Sequence, residues 1–248
     1  MPIKLFISLG GLIASAWAYL FYQSWQMTHL PMSQMWMPPS QLVAWPLPEL
    51  LGVFAMWAIM MAAMMLPSVL PMLNAFNRYC LSDPKASPWY SLYFGGSYLA
   101  VWIGFSAILT AMQWLFHGLA WLSPMMENKH TYLAATIFII AGVYQFSSFK
   151  NACLQHCRTP FGYILNEWRP GKIGALQMGF KHGLSCLGCC WAQMLIMFAV
   201  GVMNLTGMIL ITGLVCLEKT SLIDAKKLSY SSGSLFLLWG IYWLFARP

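Results

Sequence analysis

Seven apolar stretches, 3 to 22, 50 to 76, 89 to 115, 131 to 149, 177 to 200, 202 to 217 and 229 to 246, occupy most of this 248-residue chain. Most approach or exceed the roughly 20 apolar residues that cross a bilayer as a helix. Composition agrees, with 60% hydrophobic and only 8% charged residues, where a soluble domain carries about a quarter charged. Water cannot satisfy backbone polar groups inside a bilayer, so such stretches fold as helices. The expected fold is therefore all-α: a polytopic transmembrane helix bundle of about seven spans, forming one integral membrane domain over 1–248. The lipid bilayer is its first partner.

The net charge of +7 comes from basic residues scattered in ones and twos, with no basic run, and is read as topology and not as a nucleic-acid surface. With seven spans and a cytoplasmic N-terminus, eleven of the 13 Lys and Arg, Lys150 and Lys219 among them, fall on the inner side. The positive-inside rule then fixes the orientation, and the expected location is a bacterial inner membrane. Ala14-Ser15-Ala16 after a short apolar core also resembles a cleavage site. The apolar run, however, continues to Tyr22, which favours an uncleaved span.

The chemistry concentrates in Lys181-His182-Gly183-Leu184-Ser185-Cys186-Leu187-Gly188-Cys189-Cys190-Trp191, at the start of the fifth apolar stretch. At 100° per residue, His182, Cys186, Cys189 and Cys190 share roughly a 100° stripe of one helix and face one neighbour. His182 and Cys189 lie about 10 Å apart along the axis, so all four cannot bind one ion. Cys186 with Cys189 or Cys190 can form a two-sulfur clip that needs partners.

Two other segments offer those partners. One is Cys153-Leu154-Gln155-His156-Cys157, in what reads as a long inner loop over 150 to 176. The other is the second stretch, where Met56, Met60 and Met64 share an arc that Met61, Met65 and Met72 extend. Packing remains an alternative reading for the methionines, and Pro67 and Pro71 are expected to kink this span. Met27, His29, Met32, Met35 and Met37 fall in an outer loop over 23 to 48. All seven cysteines fall on the reducing side, which favours free or metal-bound thiols over disulfides. Thiolates with thioethers select soft ions, Cu(I) above all; Zn(II) is the alternative.

Glu49, Asp83, Glu127, Glu167, Glu218 and Asp224 all fall in loops or at span ends, so no mid-membrane carboxylate is expected to relay protons. Gln113, Gln145, Gln193 and Asn204 are expected to bridge helices. Phosphate-binding loops, dinucleotide fingerprints and nucleophile elbows are missing from the sequence, so nothing supports a hydrolase or a nucleotide-driven pump.

The blocks MMAAMMLPSVLPM (60–72), AGVYQFSSFKNACLQHCRTP (141–160), MGFKHGLSCLGCCWAQM (178–194) and GVMNL (201–205), followed by Glu218-Lys219, resemble a bacterial domain-of-unknown-function family described as predicted metal-binding integral membrane proteins. The resemblance implies Cys153, His156, Cys157, His182, Cys186, Cys189 and Cys190 as ligands, beside the methionine block Met60, Met61, Met64 and Met65. Handling of Cu(I) by delivery, storage or translocation is the leading expectation, with a metallochaperone or another membrane protein as partner. A membrane thiol oxidoreductase using Cys186 with Cys189 or Cys190 is one alternative. An assembly subunit with a structural metal is another.

Overall fold

The computed structural model describes residues 3–31, 45–82, 87, 89–123, 126–220 and 224–246. Among these the chain is all-α: α1 (Ile3–His29), α2 (Leu47–Ser82), α3 (Tyr90–Gly118), α4 (Thr131–Gln145), α5 (Ser148–Arg158), α6 (Pro160–Glu167), α7 (Gly171–Val200), α8 (Leu205–Lys219) and α9 (Ala225–Ala246). Met27 and His29 therefore ride on α1, and Met32, Met35, Met37 and Asp83 lie outside the described residues. Three helices, α2, α3 and α7, are long and apolar enough to cross a membrane by length and composition. The pair α4–α5, bent by 66°, makes a fourth if it is one broken span. This is the make-up of a membrane-associated chain.

The expected inner loop over 150 to 176 is mostly helix. Ser147 caps α5 by accepting from the Phe149 amide, and Pro160 opens α6, where its missing N–H costs nothing. Lys150, Leu154 and Cys157 form the buried face of α5 at intervals of four and three. A charged first member conceals that helical stripe from a hydropathy reading. The buried site helix α7 likewise begins at Gly171, earlier than the apolar run suggests.

At the centre is α7, which packs on α3, α4, α5 and α8, while α9 packs on α4 and α2 on α1 and α3. Close approach rests on missing side chains. A Cβ on Gly179 would sit 2.2 Å from the Phe94 carbonyl oxygen, and one on Gly142 would sit 2.7 Å from Leu237 Cγ. Both prolines of α2 lie inside the helix. Pro67 cannot donate to the Ala63 carbonyl, and the Trp17 indole of α1 takes that place at 3.0 Å. The helix defect thus becomes an interhelical bond. Toward the Val200 end of α7, Trp57, Phe116 and Phe198 form an aromatic layer, with Phe198 centred 5.0 Å from Trp57 and 5.2 Å from Phe116.

Glu218 lies at the end of α8, where a span end was expected, and is buried there. It is 1% exposed and pairs with Lys150, itself 0% exposed, at 2.8 Å to both carboxylate oxygens. The Gln193 amide donates to the same carboxylate at 3.3 Å and the Ser229 hydroxyl at 3.1 Å, while Lys150 also donates to Gln145. Five helices, α4, α5, α7, α8 and α9, meet at this one charge pair. Lys150 consequently does not face solvent, and Lys219 is half-buried. Lys150 is held inside the bundle because a lone buried charge would be costly without its partner.

Candidate functional site

The helical phase of α7 turns His182, Cys186, Cys189 and Cys190 inward, with exposures of 3%, 1%, 1% and 0%. Leu184, between them in sequence, points outward. Cys189 and Cys190 each direct their thiol back to the Cys186 carbonyl, at 3.1 and 3.0 Å. This packs three sulfurs into a single turn.

Cys186 is the hub of the cluster. Its sulfur has the thiols of Cys157, Cys189 and Cys190 in its neighbourhood, with the Tyr98 hydroxyl at 3.2 Å and the Lys219 ammonium at 2.9 Å. Cys157 comes from α5, which lies against α7 where Gly188 leaves room. A Cβ on Gly188 would stand 2.9 Å from Cys153 Sγ. The Tyr144 hydroxyl donates to the Gly188 carbonyl and ties α4 to the same turn. All the cysteines, including Cys80 and Cys216, are free thiols.

The methionine helix reaches the cluster at Met65, whose Sδ lies 3.9 Å from Cys190 Sγ. With metal–sulfur bonds of about 2.3 Å, two sulfurs on one ion stand roughly 3.8–4.0 Å apart at tetrahedral to trigonal angles. The Cys190–Met65 spacing therefore suits a shared ion. Met56, Met60, Met61 and Met64 are buried on the same helix, nearer its start. The second and fifth apolar stretches do touch, through Met65–Cys190 and Trp57–Phe198.

Histidine placement separates two residues that the sequence treats alike. His182 sits among the rings of Phe94, Tyr98 and Tyr163, 5.5 to 5.9 Å away, with Nδ1 buried and unpartnered. His156 is exposed on α5, in a groove with Gln155, Asn166 and Glu167. Among the described residues no three His, Cys, Asp or Glu side chains are arranged as a ready metal cage.

Sequence reasoning passes over Tyr98, Ser68 and Lys219. Lys219 donates to both Cys186 Sγ and Ser68 Oγ, the latter at 3.0 Å, and so joins α8, α2 and α7. Tyr98 lies 3.2 Å from both Cys186 Sγ and the Met65 carbonyl. The signal for Lys219 is its position, a cation closing an otherwise apolar helix beside an acidic residue. Tyr98 carries no comparable signal.

No curated protein and no solved structure matches the chain. Residues 54–243 match the family model PpoB2, described as a copper chaperone. That range takes in every thiol of the cluster, Met65, Tyr98 and Lys219, and it agrees with the metal-related character expected from the cysteine and methionine blocks. Covering most of its length, this match shows that the chain belongs to the PpoB2 copper chaperone family.

Proposed function

We propose that this chain is a single-domain, seven-span inner-membrane protein, N-terminus cytoplasmic, that holds Cu(I) as cargo at its buried sulfurs and hands it to a partner. Cys186 and Cys190, four residues apart on α7, bind the ion, and Met65 supplies a thioether. Cys189 and His182 flank this pair, and Cys157 with Cys153 on α5 forms the nearest route of transfer. Met56, Met60, Met61 and Met64 stand behind Met65 along α2 as further thioethers on the closed side of the site. His156 meets the partner at the surface.

One observation carries the reading: four thiols from two helices and one thioether from a third gather in a buried place, in a chain of a copper chaperone family. Thiolate and thioether ligands select Cu(I), which is satisfied by few ligands, whereas structural zinc takes four.

The test is elemental analysis of protein purified in detergent under reducing, anaerobic conditions, after Cu(I) reconstitution. The wild type is expected to retain about one copper per chain, and Cys186→Ser/Cys190→Ser to lose it. Retention by the double variant, or zinc in preference to copper, overturns the assignment.

A further inference from the structure

Lys219 has no role in binding a cation as a ligand, yet its ammonium touches the central sulfur of the cluster at 2.9 Å. Its second partner, Ser68 Oγ at 3.0 Å, comes from the turn of α2 just after Met65. Ser68 itself donates to the Met65 carbonyl at 2.8 Å, so the hydroxyl that holds Lys219 is anchored to the thioether residue. The neighbouring Glu218 does not reach out to neutralise Lys219, because Lys150, Gln193 and Ser229 already occupy its carboxylate. A positive charge is thereby fixed against the sulfur site from the α8 side.

From this we infer that Lys219 sets the charge of the ion that the site accepts, admitting monovalent soft cations and rejecting divalent ones of equal softness. The inference rests on the proposed Cys186/Cys190 site. When two thiols bind an ion they release two protons to solvent, and the pair of thiolates carries two negative charges. A monovalent ion leaves one negative charge, which Lys219 cancels. A divalent ion leaves none, so the half-buried Lys219 charge stays as unmatched as it is beside the two neutral thiols of the empty site, and a monovalent ion alone gains from it. With the ion about 5 Å from the ammonium and an effective dielectric near 20, one added unit of charge costs on the order of a hundredfold in affinity. Ser68 gives the ammonium a second place to stay once the Cys186 sulfur turns to the metal.

Ag(I) and Cd(II) have the same closed d-shell and similar softness and differ by one charge, so they isolate the effect. Competition for the wild type, Lys219→Met and Lys219→Arg, each in detergent micelles, reads the Ag(I)/Cd(II) affinity ratio, with Cu(I) retention measured alongside. The ratio is expected to fall by roughly a hundredfold in Lys219→Met and to stay near the wild-type value in Lys219→Arg, which keeps the charge. An unchanged ratio in Lys219→Met with Cu(I) still bound overturns the inference and leaves the copper site standing. A wild type that holds Cd(II) as tightly as Ag(I) also overturns it, even if Lys219→Met fails to fold. Failure of the wild type to bind Cu(I) or Ag(I) removes the site itself.

Discussion

Cutting one side of the Lys150–Glu218 pair should cost far more than deleting both sides together. Glu218 receives the ammonium at 2.8 Å on both oxygens, the Gln193 amide at 3.3 Å and the Ser229 hydroxyl at 3.1 Å, in a place with essentially no solvent. Glu218→Ala leaves Lys150 with the Gln145 amide oxygen and no counter-charge, a loss of about 3–5 kcal/mol. At 2–4 °C per kcal/mol for a chain of this size, the melting temperature should drop by roughly 10 °C. The double change Lys150→Met/Glu218→Leu replaces the pair by apolar groups of similar volume and should fall within about 1 kcal/mol of the wild type. The assay is a double-mutant cycle, closed by the single changes Lys150→Met and Glu218→Leu, by denaturant titration in detergent micelles, with thermal unfolding followed by circular dichroism. The expected coupling is about 3 kcal/mol. Should Glu218→Ala change stability by less than about 0.5 kcal/mol, as an exposed pair would, the carboxylate is solvated and the buried five-helix junction is wrong.

Gly188→Val adds a Cβ 2.9 Å from Cys153 Sγ and 3.4 Å from Phe149 Cε1, forcing α5 away from α7. It should lower stability by about 1–3 kcal/mol and speed Cu(I) loss to a competing chelator; an unchanged release rate would show that α5 does not guard the thiols. Glu167 is bonded to Lys181 at the surface, and that hydrogen bond, helped by the ammonium charge, holds its carboxyl below the ordinary 4.5. The pair's contribution is present above that value and lost as pH falls through the lower folded one. Since the two side chains are 55% and 25% exposed, Glu167→Gln should shift stability at pH 7 by less than about 0.5 kcal/mol, checked by thermal unfolding at pH 7 and pH 3.

The main helices are legible because a long apolar run admits few structures, and the inward face of α7 because 3.6-residue periodicity leaves no choice once His182 and three cysteines share a stripe. Gln113 bridging to the Trp57 indole at 2.6 Å, and Gln145 and Gln193 closing on the charge pair, fit the expectation for amides in such segments, whereas Asn204 caps α8 by accepting from the Gly207 amide. The polar helices α5 and α6 are not legible in the same way. Their apolar faces are short, and the buried stripe of α5 opens with a lysine whose partner lies 68 residues on. Tyr98, 88 residues from Cys186, is one of 11 tyrosines with nothing to single it out. Such pairings depend on how helices pack, which hydrophobic pattern alone does not specify.

The aromatic layer of Trp57, Phe116 and Phe198 gives the sulfur cluster a blind end. Phe198 is eight residues beyond Cys190, about 12 Å along α7, and Met194 and Met197 between them are 0% exposed. In the other direction the surface is near: Cys153 is partly exposed and His156 is exposed. In the proposed reading, the route to Cys186 among the described residues runs beneath α5. A donor delivering copper and an acceptor removing it must use that route in turn, so each excludes the other while docked.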